Sequence, residues 1–302
     1  MKNRFFSNLC GIPPVENIPI RVVSALISGI LLEKLLNKKI ACIFFLVFAV
    51  FSLFAEGPES KKVFALDPLT DGLLLGTGIL LTGGNLILSD MMEINRKKYE
   101  EHPYSKSEVN AFDRKFIQPY SKIHDGAADF LLIASAVTPV ALLSTDKEEW
   151  FTNGVMYIET LLIANGLKET LKLAVNRTRP YMYSGSDNLP ESDLNDGEWA
   201  KSFPSGHTTI AFASATFLTY TFCRYFPDSP WRIPLSIGSY ALATGVAALR
   251  VSSGSHFLSD VLVGAAIGSA VGFLVPFLHT LNTKNDMSVA VTGNGLSFTV
   301  KF

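Results

Sequence analysis

The sequence predicts an all-α protein, a multi-helix membrane bundle of about six core helices, with an N-terminal signal-like apolar segment and a short C-terminal β-hairpin. Three observations lead there. Six segments of helix length, at about 71–89, 127–144, 153–175, 206–223, 234–250 and 257–281, are apolar and separated by polar connections. They are rich in Gly, Ala, Ser and Thr, as in "VGAAIGSAVGF" from Val263 to Phe273, the composition that lets helix backbones approach closely. The tail "MSVAVTGNGLSFTVKF" alternates Leu296, Phe298, Val300 and Phe302 with polar residues beside a Gly-Asn-Gly turn, a hairpin signal.

Taken in chain order, Lys38 and Lys39 precede an apolar run from Ile40 to Ala55, and then Glu56, Gly57 and Pro58 break it. A charged start, a greasy middle and a small residue before a polar break match a signal peptide. The run is also shorter than the ~20 residues that cross the hydrocarbon. Residues 1–55 are therefore set apart as a signal or anchor segment, 56–281 as the helical bundle and 282–302 as the hairpin tail, with the role of residues 1–37 left open. The third apolar segment is interrupted by Glu159, Lys168, Glu169 and Lys172. Charges at such depth face a bundle interior or a polar cavity, so this helix is expected to line a site. The connections 90–126 and 180–203 are long, the first charged and aromatic, the second rich in Asp, Asn, Ser, Gly and Pro. A net charge of −1 leaves no basic field for nucleic acid. Cys10, Cys42 and Cys223 have neither metal-ligand nor redox spacing, and no metal-ligand set and no cofactor is expected.

The chemistry sits at three places. Lys172 and Arg179 lie in "KLAVNRTRP" at the end of the third segment. Ser205, Gly206 and His207 open the fourth in "SFPSGHTTIAF". Arg250, His256 and Asp260 span the turn between the fifth and sixth in "RVSSGSHFLSD". If the helices alternate in direction, all three fall on one face. Lys172, Arg179 and Arg250 bring three cations to a region with few evident acids, and guanidinium forks match phosphate-like oxyanions. Ser205 and Gly206 stand at a helix start, where free N–H groups and the positive dipole end favour an anion. His256 and Asp260 share a helix face, so the carboxylate is expected to accept one ring N–H and leave the other nitrogen nucleophilic. His207 needs no partner acid, because its task is to give a proton. Taken singly, each residue has a plainer reading as a cap, a snorkelling cation or a surface pair, and it is the convergence that argues for a site.

Lys172 to Arg179-Pro180, then Pro204-Ser205-Gly206-His207, then Arg250 through His256 to Asp260 resemble the three-part signature of the type 2 phosphatidic acid phosphatase and vanadium haloperoxidase superfamily. One position departs: the family commonly has Ser before the third-motif Arg, and here it is Leu249, which leaves Ser252 or Ser253 to supply the hydroxyl. The resemblance implies that His256 attacks phosphorus to give a phosphohistidine, Asp260 orients it and His207 protonates the leaving alkoxide. It implies phosphoryl contacts from Lys172, Arg179, Ser205, Gly206 and Arg250. The implied protein is a metal-independent membrane phosphatase of a phosphorylated lipid, with phosphatidate, phosphatidylglycerol phosphate, undecaprenyl diphosphate and lipid A phosphates as candidate substrates. A vanadate-dependent haloperoxidase and a non-catalytic lipid-binding relative are the rival readings. The greasy helices speak against the first, and the intact His207, His256 and Asp260 against the second. The acidic 180–203 connection points to an extracytoplasmic active face in a bacterial envelope, although cleavage after Ala55 followed by six spans would put that face inside.

Overall fold

A computed structural model of the chain describes residues 62–91, 104–186, 189–282, 287–292 and 295–300. The expected signal segment lies outside them. Six long helices are present among the described residues: α1 (Pro68–Met91), α2 (Lys122–Val137), α3 (Lys147–Val175), α5 (Gly206–Tyr225), α6 (Arg232–Ser252) and α7 (Leu258–Asn282). A single-turn α4 (Glu191–Asn195) lies in the connection between α3 and α5. Strands β1 (Met287–Thr292) and β2 (Gly295–Val300) pair antiparallel, with Val289 opposite Phe298 and Val291 opposite Leu296.

Local chemistry explains the helix limits. The Ser121 hydroxyl accepts from the His124 amide at the start of α2, and Ser205 does the same for Thr208 at the start of α5. Asn176, with φ 49, ends α3 in the left-handed conformation that asparagine tolerates. The apolar segment expected at 127–144 begins earlier, at Lys122, and its last part from Thr138 to Ser144 is a 3-10 turn opened by Pro139.

Helix α5 is the axis of the bundle. It packs against α2, α3, α6 and α7, and most of its side chains are buried. Four other helical segments, Pro68–Leu88, Lys122–Ser144, Arg232–Ser252 and Leu258–Thr280, are long and apolar enough to cross a membrane. They turn Ile79, Leu80, Ile87, Ile233, Ile237, Leu262 and Leu274 outward. Such a belt is stable in hydrocarbon, and the chain reads as a membrane protein. Helices α3 and α5 are not among those four; α5 is enclosed by its neighbours, whereas α3 keeps Phe151, Ile158 and Val175 exposed.

The closest packing is between α5 and α7, which run parallel. Gly264, Gly268 and Gly272 of α7 lie over Ser205, Thr209 and Ala213 of α5. A Cβ on Gly268 would sit 2.2 Å from the Thr209 carbonyl oxygen, and one on Gly272 2.4 Å from that of Ala213. The two backbones therefore touch without intervening side chains. Helix α1 runs parallel to α3 in the same manner, with Gly78 against Leu162 and Gly166 against Leu81. Higher up, the Asn85 amide donates to the Gly166 carbonyl at 2.9 Å.

The α5–α7 contact makes a sharp expectation. Gly268→Ala must separate the helices and should lower the unfolding free energy by about 1–3 kcal/mol, the usual cost of overpacking. Gly238→Ala, on the outer face of α6 with nothing within 4 Å, should be neutral or stabilising by up to ~1 kcal/mol. Thermal unfolding of the full chain in detergent checks both, and equal melting temperatures for the two variants would refute the close contact.

Candidate active site

The ends of α3 and α6 and the starts of α2, α5 and α7 meet at one end of the bundle. Backbone hydrogen bonds tie them together: Ser202 N–H to Arg177 C=O at 2.8 Å, Ser205 N–H to Asp260 C=O at 3.1 Å and Tyr181 N–H to Gly254 C=O at 3.0 Å. Gly254, with φ 73, turns the chain from α6 into the His256 segment, and a Cβ there would strike the Gln118 carbonyl at 2.5 Å. The described part of the 90–126 connection therefore lies on this face, as does the 189–203 stretch.

All eight residues singled out in the sequence lie at this end of the bundle, but several partners differ from expectation. His256 is buried, and its Nδ1 lies 2.7 Å from the Ser202 carbonyl oxygen. A carbonyl only accepts, so Nδ1 carries the proton and Nε2 holds the free lone pair. The expected hydrogen bond to Asp260 is not made, since Oδ2 is 3.9 Å from Nδ1. Burial, with the charges of Arg250, Arg179 and Lys172, holds the His256 imidazole well below the usual histidine range. The ring is neutral at pH 7, so the 3.9 Å approach is no ion pair.

Asp260 acts one step away. Its Oδ2 accepts the Ser202 hydroxyl at 2.5 Å and the Phe257 amide at 2.9 Å, and its Oδ1 pairs with Arg177. Asp260 thus grips the residue whose carbonyl orients His256. Arg177 also reaches Asp113 at 2.8 Å and lies over the Phe257 ring at 4.2 Å. Asp113 in turn accepts the Ser259 amide at 3.0 Å and its hydroxyl at 2.6 Å. Burial pushes the Asp113 carboxyl up, but these hydrogen bonds outweigh it and hold the group below its ordinary value.

His207 has a partner acid, contrary to expectation: its Nε2 is 2.7 Å from Asp129 Oδ1, supplied by α2. Nor are acids scarce around the cations. Arg179 pairs with Asp193 at 2.9 Å and Glu198 at 3.0 Å, and Lys172 with Glu169 at 3.3 Å and Glu198 at 4.0 Å. Arg250 pairs with Asp125. Burial opposes ionisation of Glu198, yet Lys172, Arg179 and Lys201 bring it down to about 2. Two guanidinium groups still have capacity to spare, because Nε of Arg179 and Nε of Arg250 are buried and make no hydrogen bond. The hydroxyls expected to compensate for Leu249 are engaged elsewhere: Ser252 donates to the Leu249 carbonyl at 3.2 Å, and Ser253 lies 3.1 Å from that of Arg250.

Sequence reading missed Lys168, Arg177, Ser202, Asp113, Asp125, Asp129, Asp193 and Glu198. Lys168 had a legible signal, one helical turn before Lys172, and its Nζ lies 3.3 Å from where a Gly206 Cβ would stand. Asp113, Asp125 and Asp129 precede α3, the last two four residues apart on α2, and Asp193 and Glu198 lie in the connection after it, so no spacing ties these acids to the three motifs.

Residues 153–284 match the sequence pattern described as the PAP2 superfamily. A lipid A 1-phosphatase of Porphyromonas gingivalis is 43% identical over 79 residues, 26% of this chain and 16% of that protein. A probable diacylglycerol pyrophosphate phosphatase of Schizosaccharomyces pombe is 32% identical over 97 residues, 30% of this chain and 34% of that protein. The chain thus spans well under half the length of these relatives. A crystal structure of a transmembrane PAP2 type phosphatidylglycerolphosphate phosphatase from Bacillus subtilis aligns with TM-score 0.43 at 21% identity, covering 67% of this chain and 95% of that one.

The Arg177 network predicts a stability effect. Arg177→Leu leaves Asp260 and Asp113 as buried carboxylates without their shared cation, and removing one partner of such a pair costs about 3–5 kcal/mol. Thermal unfolding should show a large drop in melting temperature. A variant within ~1 kcal/mol of the parent would show that the network does not hold the site together.

Proposed function

We propose that the chain is a phosphatase that removes phosphate from a phosphorylated lipid headgroup through a phosphohistidine on His256, with no metal in the reaction. The observation that carries this reading is the pairing of an imidazole whose free Nε2 is fixed by the Ser202 carbonyl with two buried guanidinium Nε–H donors that lack acceptors. A neutral nucleophile beside unsatisfied cationic donors is what a phosphoryl group needs, since its transfer depends on positioning and charge stabilisation. The bundle assigned to 56–281 carries this chemistry, and the hairpin tail of 282–302 is a separate appendage.

In the first step the His256 Nε2 lone pair attacks phosphorus while the bond to the headgroup oxygen breaks. Lys172, Arg179, Arg250 and the helix start at Ser205 and Gly206 hold the phosphoryl oxygens, and Lys168 adds a fourth cation. His207 gives its proton to the leaving alkoxide; burial and the Arg250 charge bring its ring down to about 4 against the pull of the Asp129 carboxylate, so the protonated ring this requires depends on the negative charge that the phosphate brings. Water then attacks the phosphohistidine, with His207 taking its proton, and inorganic phosphate leaves. Asp260 is a positioning residue acting through Ser202. The relatives' names, lipid A 1-phosphatase and diacylglycerol pyrophosphate phosphatase, support a lipid monoester or diphosphate as substrate class.

His256→Ala should abolish release of phosphate from every ester. His207→Ala should lose about 10²–10⁴ in rate on a lipid phosphate, whose alkoxide leaves poorly, and far less on p-nitrophenyl phosphate, whose leaving group departs unprotonated. Equal losses on both substrates would remove His207 from the proton-donor role, and full activity of His256→Ala would overturn the mechanism.

The active face is proposed to be extracytoplasmic, on the acidic character of the 180–203 connection. A cysteine introduced by Ser186→Cys, in a background without the native cysteines, should react with an impermeant thiol reagent in intact cells. Labelling only after lysis would place the face inside.

A further inference from the structure

A second constellation lies well away from His256. Asp71 at the start of α1, Glu159 in the middle of α3 and His279 near the end of α7 converge, their ligand atoms all within 4.8 Å of one another. Glu159 is thirteen residues before Lys172 on the same helix, about 20 Å of rise from the phosphate-binding cations. Glu159 and His279 are fully buried, and the Asp71 side chain is 15% exposed. The proposed reaction uses none of them.

The hydrogen positions here leave a charge problem. His279 Nδ1 lies 2.9 Å from the Val275 carbonyl, so Nδ1 carries a proton and Nε2 faces the cluster. Nε2 is 2.8 Å from Asp71 Oδ1 and 3.3 Å from Glu159 Oε2. Neither Glu159 oxygen makes a hydrogen bond. Among the described residues no Lys or Arg pairs with either carboxylate. With both carboxylates ionised, a neutral ring would turn its lone pair on two anions and a protonated ring would still leave one negative charge in the interior; without a metal the cluster must hold a proton on Glu159 as well as a second one on the ring. Uncompensated buried charge is costly. A divalent cation cancels it, with two carboxylates and one neutral imidazole summing with the metal to zero.

The geometry suits that occupant. A histidine that ligates through one nitrogen donates the other ring N–H to a carbonyl or carboxylate, as His279 does to Val275. Donors about 2.1 Å from a tetrahedral ion stand about 3.4 Å apart; the 3.3 Å between His279 Nε2 and Glu159 Oε2 is close to that, whereas the 2.8 Å between Nε2 and Asp71 Oδ1 is a hydrogen-bond distance that opens on loading. An imidazole with two carboxylates favours a borderline transition ion over calcium or magnesium, which take all-oxygen sets. We propose that Asp71, Glu159 and His279 bind one divalent transition-metal ion of the zinc or manganese type, which clamps α1 and α7 to α3 remote from the catalytic residues. This inference is independent of the phosphatase reading.

The test uses the purified, tag-free full chain in detergent, stripped with a chelator and then titrated separately with Zn²⁺ and Mn²⁺. One equivalent should bind, and the melting temperature should rise with loading. Glu159→Gln, Asp71→Asn and His279→Ala should each weaken binding by more than the ~10- to 100-fold that outer-shell changes cost. Phosphate release below the melting temperature should be the same in stripped and loaded protein, which separates this site from the catalytic one. Should the buried Glu159→Gln fail to fold, Asp71→Asn at the more exposed ligand decides alone. Absence of stoichiometric binding by the parent chain, or unchanged affinity in Asp71→Asn, overturns the proposal.

Discussion

The arrangement around His256 depends on one buried carboxylate. Asp260 receives the Ser202 hydroxyl, the Phe257 amide and the Arg177 guanidinium, and so joins the 189–203 connection, the turn after α6 and the end of α3 at a single point. A carboxylate with three donors in a low-dielectric interior is directional, and displacing any donor leaves charge without a partner. The Ser202 carbonyl is therefore immobilised from both sides, by its own hydroxyl on Asp260 and by its amide on the Arg177 carbonyl. The imidazole inherits that rigidity. The fixed carbonyl specifies the tautomer, with the proton on Nδ1 and the lone pair on Nε2.

The same logic governs the cations. Three of them in one buried pocket would repel one another, and the anions needed to hold them together in the absence of substrate come from Glu169, Asp193, Glu198 and Asp125. These acids bind the outer edges of the guanidinium groups and leave the Nε–H groups of Arg179 and Arg250 unsatisfied. On the proposed reading, a phosphoryl group completes a set of donors already in place, instead of gathering them.

Much of the fold was legible because its signals are local and periodic: apolar segments of helix length, small residues at every fourth position of α7, and Ser205 ahead of a helix. The three motifs were legible for the same reason, each being a short run with fixed spacing. The second partners were not. Asp129 meets His207 across 78 positions and Asp113 meets Arg177 across 64, so neither contact leaves a trace in local spacing. The reading that His207 needs no acid, and that the cations lack acids, failed because both rested on neighbours in sequence. Asp260 lies beside the other motif residues, but its helical spacing from His256 suggested a direct contact, whereas His256 precedes the first turn of α7 and is not bound by that geometry. The Asp71, Glu159 and His279 cluster is the extreme case, drawn from α1, α3 and α7, with residues too far apart for any spacing rule.

The glycine contacts are what allow so much charge inside so greasy a bundle. Where α5 and α7 touch backbone to backbone, no side chain separates the helices, and the residues at their starts are brought close without spacer volume. Ser205 N–H then reaches the Asp260 carbonyl, and the first turn of α5 is locked to the first turn of α7. A larger residue at position 264 would push first on the Ser205 carbonyl, 2.7 Å from the added Cβ, and so on the start of α5. Packing between apolar helices and placement of the polar groups are thus one problem in this chain. The small-residue stripe sets the distance between helices, and that distance decides whether the hydrogen-bonded chain from Arg177 through Asp260 and Ser202 to His256 can close.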